Sequence, residues 1–116
     1  MRATAAGAAL ILGAMIPLSG CASSDSSPVG TWGDPEVAYL ELGPDGALSG
    51  SDGCNRLSGS WEADGDAVTF VGVAVTLRAC VDVDDWLSRL DTAEVDRDAM
   101  TVFNPDGEQI GILDRN

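Results

Sequence analysis

The sequence predicts a mainly β domain carrying one helix, an α+β arrangement. Three observations carry this reading. Turn signals recur at short intervals from Gly30 onward. The runs between them alternate apolar and polar residues with period two. One stretch near residue 85 instead repeats its apolar residues at helical spacing. Regular short strands of this kind argue for a sandwich or a barrel.

The elements follow in order. Ala38, Leu40 and Leu42 share one face of a strand, which ends at the turn Pro44-Asp45-Gly46. In that turn Pro presets φ, Asp bonds its own backbone and Gly takes the left-handed position. Leu57, Gly59 and Trp61 line one face of the next clear strand, with Ser58, Ser60 and Glu62 opposite. Asp64-Gly65 is a two-residue hairpin signal. Val68 and Phe70 then alternate with Ala67 and Thr69, and Val73, Val75 and Leu77 continue after Gly72. From Asp82 to Thr92, Val83, Trp86, Leu87 and Leu90 fall at i, i+3, i+4 and i+7, which predicts an amphipathic helix of about three turns. Asp82, Asp84 and Asp85 crowd its start and Arg89 lies near its end, as the helix dipole favours. Met100 with Val102, then Ile110 with Ile112, predict the last strands, on either side of a second Pro-Asp-Gly turn at 105–107. Trp61 and Trp86 are expected to be large core side chains.

The N-terminus reads differently. Residues 1–20 have a charged start at Arg2, an apolar centre from Ala8 to Ile16, and small residues before Cys21. That is the layout of an export signal. The apolar stretch is short of the roughly 20 residues that a membrane span needs. Leu18-Ser19-Gly20-Cys21 resembles the lipobox of bacterial lipoproteins, which implies diacylglycerol on the Cys21 thiol and cleavage before it. Two or three acyl chains anchor a protein firmly where one does not. Residues 21–28 are the lipidated Cys and a Ser-rich stretch ending in Pro28, read as a flexible tether. Residues 29–116 are the folded domain.

Removing the 20-residue leader from 116 leaves 96 residues, enough for one small domain. It also removes Arg2, so the mature chain sets 5 basic against 19 acidic residues, a net −14. Such a field repels nucleic acid, and a nucleic-acid partner is not expected. The acids are expected to keep a membrane-crowded domain soluble; a basic partner is the alternative. The domain is expected to be a monomer.

Cys54 and Cys80 remain in the domain, 26 residues apart. An exported chain permits a disulfide between them, worth roughly 3 to 4 kcal/mol by loop-closure entropy. Two free buried thiols are the alternative. A metal site would need more ligands, and the chain has no His.

Three sequence elements resemble the META domain family, the group of HslJ-like heat-shock-inducible lipoproteins. Gly30-Thr31-Trp32 is similar to its opening strand. Asp45 through Trp61, containing Gly53-Cys54-Asn55 and Gly59-Ser60-Trp61, is similar to its central element. Thr76-Leu77-Arg78-Ala79-Cys80 resembles its T-x-x-A-C element. The resemblance implies a small curved antiparallel sheet of lipocalin-like barrel topology with one helix at its side or mouth. It also implies a role in envelope stress or antibiotic tolerance, with no established catalysis. Asn55 tolerates left-handed backbone and can bond locally, and Gly53 and Gly59 allow bends or close strand approach.

No catalytic residue is predicted, because no His is present to pair with a nucleophile. Glu62 with Asp64 or Asp66 has the residue types of a glycosidase pair, but 19 acids make close pairs common by chance. Asp82 to Asp85 and Asp64-Gly65-Asp66 do not match a calcium loop, so no metal and no cofactor are expected. The expected function is a lipid-anchored, extracytoplasmic, non-catalytic structural or interaction module of the bacterial cell envelope. Its partner would be an envelope protein met at its surface. The alternative is a lipocalin-like carrier of a small ligand, since a small barrel can hold a compact molecule in its mouth.

Overall fold

A computed structural model describes residues 27–116. The predicted leader, Cys21 and the tether up to Ser26 lie outside the described residues. Eight strands form one antiparallel sheet in sequence order. They are β1 (Gly30–Asp34), β2 (Ala38–Leu42), β3 (Ala47–Ser51), β4 (Arg56–Asp64), β5 (Ala67–Val75), β6 (Thr92–Asp96), β7 (Ala99–Phe103) and β8 (Gln109–Asp114). The sheet curls until its ends meet. Trp32 on β1 bridges Arg115 just beyond β8, and the Asn116 N–H donates to the Thr31 carbonyl at 2.9 Å.

The alternation read from the sequence sets the inner face. Leu40, Leu42, Leu57, Val68, Met100 and Val102 are all buried, as is Trp32. Burying one such side chain contributes about 1.5 to 3 kcal/mol, and together they fill the inside of the sheet. Trp32, not Trp61 or Trp86, is the fully buried tryptophan. Trp61 and Trp86 are only partly buried at its margins.

Both Pro-Asp-Gly sequences turn the chain. In the first, Gly46 N–H donates to Gly43 O at 3.0 Å; in the second, Gly107 N–H donates to Asn104 O at 2.9 Å. The last strand departs from its predicted facing. A register shift between Val102 and Phe103 pairs Val102 with Gly111 and Phe103 with Gln109. The unpaired residue is Ile110. The extra residue rotates the strand, so Leu113 is buried and Ile112 points outward.

The predicted amphipathic helix over Asp82 to Thr92 is absent. In its place stands a single 3-10 turn, Trp86–Arg89. Several constraints leave no room for a helix. Asp82 takes left-handed backbone at φ 62°. At the other end Leu90 is extended. Asp91 is captured by strands on both sides: its N–H donates to Phe103 O at 2.8 Å, and its carbonyl accepts from Phe70 N–H at 2.9 Å. A helix this short is marginal alone, so sheet pairing decides. The apolar pattern still served packing, because Leu87 and Leu90 are buried in the core.

The ladders are unequal. β5 and β6 pair over only three positions, Ala67↔Glu94, Val68↔Ala93 and Thr69↔Thr92. Beyond Phe70, β5 leaves β6 and follows β4 alone to Val75. Leu77, predicted to continue the inward face of this run, lies past the strand and is 97% exposed.

Candidate functional site

Consecutive strands of a meander alternate in direction. The connections at 35–37, 52–55, 76–91 and 104–108 therefore emerge at one end of the barrel, and Gly30 starts β1 at the other. Two of the elements that gave the sequence its resemblance, Gly53-Cys54-Asn55 and Thr76 to Cys80, converge at the loop end.

Cys54 and Cys80 are joined by a disulfide, with Cα atoms 5.9 Å apart. Asn55 sits beside it, buried. Its Oδ1 accepts from the Arg78 N–H at 2.6 Å and from the Thr76 hydroxyl at 3.0 Å, and its Nδ2 donates to Arg78 O at 3.1 Å. Thr76 Oγ1 in turn accepts from the Arg56 N–H at 2.9 Å. The Asn55 side chain is thus a clamp on a segment 23 residues away, rather than a local bond to its own turn. Its backbone is not left-handed; Gly53 takes that conformation, at φ 96°. Gly53 is also pressed close: a Cβ there would meet Val37 O at 2.7 Å and Val83 Cγ1 at 3.4 Å. Three loops, 35–37, 52–55 and 76–85, are locked together by these contacts. Buried polar groups satisfied in this way rigidify the structure they join.

Asp52 is not among the acids that the sequence singles out. It is 1% exposed. Its Oδ1 accepts from the N–H groups of Cys54, at 2.8 Å, and of Asn55. Its Oδ2 is buried and has no hydrogen-bond partner among the described residues. The signal available in the sequence was its place: a carboxylate directly before Gly53-Cys54, where it can accept from the turn it opens. Asp52 lines a cleft of about 340 Å³ together with Glu36, Val37, Gly53, Asp82, Val83, Asp84 and Trp86, with Ala38 at its edge. The Trp86 ring forms a fixed wall because it covers Gly111 of β8: a Cβ at Gly111 would fall 2.5 Å from ring carbons.

The other acids considered from the sequence are dispersed. Glu62, Asp64 and Asp66 are exposed on the β4–β5 hairpin, at the end opposite the disulfide. Asp85 pairs with Arg89 at 3.2 Å on the surface. Among the described residues, no group of three or more Cys, Asp or Glu is arranged to hold a metal ion. Cys21 lies outside the described residues. Ser27 and Pro28, the end of the predicted tether, pack on the barrel. Pro28 O accepts from Trp32 Nε1–H at 2.8 Å, and Ser27 O accepts from Arg115 at 2.9 Å.

No curated protein and no solved structure matches the chain. A family model, META domain, matches residues 21–115. The match includes the G-C-N and T-x-x-A-C elements that the disulfide and Asn55 bring together. The family and the disulfide are consistent with an extracytoplasmic protein. The chain belongs to the META domain family.

Proposed function

We propose that this protein is a lipid-anchored module of the bacterial cell envelope, HslJ-like in role, that acts in stress or antibiotic tolerance by binding at its loop end and carries out no catalysis. The lipobox at Leu18-Ser19-Gly20-Cys21 supports the anchor. The observation that carries the binding reading is the braced loop cluster. Disulfide and Asn55 hold it in place, yet it presents Leu77 at 97% and Val81 at 86% exposure. Apolar side chains fixed in solvent on a braced loop suit contact with another molecule. The strand directions support an orientation. A tether entering at Gly30 holds the barrel by its closed end and turns the disulfide loops away from the membrane. A carrier holding its ligand inside the barrel would need space that Trp32, Leu40, Leu57 and Met100 occupy.

The test has two readouts in native envelopes. Cys21→Ser is expected to release the folded protein from the membrane fraction; unchanged retention would count against lipidation. A photo-reactive residue at position 77 is expected to give a discrete cross-linked species, while one at position 64 gives none. Equal labelling from both ends would remove the loop end as the binding surface.

A further inference from the structure

We propose that the cleft at the loop end is a binding site for a small organic cation, an alkylammonium whose charged head meets Asp52 and whose apolar body lies against Val83 and Trp86. The proposal gives the binding end a ligand class. It rests on that end being the functional one, and is independent of the lipid anchor.

The buried carboxylate is the starting point. Asp52 has one oxygen committed to two backbone N–H groups and a second oxygen with no partner among the described residues. A buried carboxylate oxygen without a donor is costly, and such a group normally finds a partner. The turn alone does not require an acid, since Asn also accepts from turn N–H groups. The second oxygen is what distinguishes Asp.

The surroundings select the partner. Glu36, Asp82 and Asp84 stand on the rim of the same cleft, and none of the residues lining it is basic. The net charge of −13 adds a long-range pull on cations. The walls exclude a bare metal ion as the best fit. Calcium takes six to eight oxygens at about 2.3 to 2.6 Å, and no three acids converge here among the described residues. Val37, Val83 and the Trp86 indole instead offer apolar surface, and an indole face attracts an organic cation. An ammonium carries three donors, of which Asp52 takes one, while the rim acids add their negative field. A cleft of about 340 Å³ lies at the small end of ligand sites, which suits an amine of a few carbons.

The experiment titrates n-pentylammonium chloride into the full-length protein in detergent at constant ionic strength, following the indole N–H resonances. n-Pentanol, of similar shape without charge, and calcium chloride are run in parallel. Saturable binding is expected for the amine, read at the Trp86 resonance, with at least tenfold weaker binding of the alcohol. Asp52→Asn keeps an acceptor for the turn and is expected to weaken amine binding at least tenfold. Should that variant unfold, Glu36→Gln with Asp84→Asn on the exposed rim carries the test, with a several-fold loss expected. Asp64→Asn with Asp66→Asn, at the far end, is expected to change nothing. The proposal is overturned by absent saturation, by equal binding of alcohol and amine, by saturable calcium binding in place of the amine, or by an equal loss in the far-end variant. Any of these alongside intact cross-linking from position 77 would remove the ligand class and leave the binding end standing.

Discussion

The two ends of this barrel are built by different means. At the end where the chain enters, closure centres on one side chain, with Asn116 beside it. Arg115 stacks 4.2 Å from the Trp32 ring centroid, donates to Val29 O, Ser27 O and Arg97 O, and pairs with Asp98 at 3.3 Å. The connections there are tight turns at 43–46, 65–66 and 97–98. At the other end one connection, 76–91, is long, and a disulfide and an asparagine hold its first residues to the 52–55 turn. The first end is finished by the contacts of Arg115, and its acids Glu62, Asp64 and Asp66 lie exposed on a hairpin. The second is held rigid but leaves an Asp52 oxygen, the three rim acids Glu36, Asp82 and Asp84, and the exposed Leu77 and Val81 without a partner among the described residues. Rigidity without saturation is what a binding surface needs, because little ordering remains to oppose association.

Substitutions can break this contrast, beginning with the largest effect. Trp32→Ala removes the buried tryptophan on which the closed end is assembled, and is expected to cost about 3 to 5 kcal/mol. Trp61→Ala, at a partly buried position, is expected to cost clearly less. Chemical denaturation compares the two; equal losses would mean that Trp32 has no special place. Replacing Cys54 and Cys80 together by Ala is expected to cost about 2 to 4 kcal/mol, with loss of order confined at first to the loop end. Proteolysis within residues 76–85, faster than at the closed end, reads this out. Gly111→Ala puts a methyl into the Trp86 ring and is expected to cost about 1 to 3 kcal/mol. Its marker is a shifted Trp86 indole resonance. Smallest of all, Asp64→Asn and Asp66→Asn on the exposed hairpin are expected to stay within about 0.5 kcal/mol in thermal denaturation.

Much of the barrel was legible because period-two alternation is a local property. Ala38, Leu40 and Leu42, or Met100 and Val102, announce their buried face without reference to the rest of the chain. The family resemblance likewise located the cysteine and asparagine elements that meet at the loop end. The failures all involve partners distant in sequence. Val83, Trp86, Leu87 and Leu90 have helical spacing, but Asp91 is claimed by β5 and β7. Ile110 and Ile112 look like one face until the shift beside Val102 separates them. Trp61 and Trp86 look like core because tryptophan is large, yet each ends at a margin. In the candidate site, Asp52 was hidden among 19 acids, since burial and an uncommitted oxygen are not visible in a one-dimensional string. Runs such as Asp82-Val83-Asp84-Asp85 drew attention through density alone.

The short ladder between β5 and β6 divides the molecule in a way its continuous strand order conceals. The covalent ring closed by Cys54 and Cys80 takes in β4, β5 and the first residues of the connection that follows, up to Cys80. β6, β7 and β8 are outside it. They are held to the rest by three ladder positions on one side, by Arg115 and Asn116 on the other, and by shared core packing. The barrel is thus a five-stranded piece that carries the cross-link beside β4 and β5, and a three-stranded flap without one. Local opening follows such boundaries, so any opening is expected to start at the β5–β6 ladder. Because Gly111 lies on that flap and seats Trp86, any opening of β6–β8 also unseats one wall of the cleft.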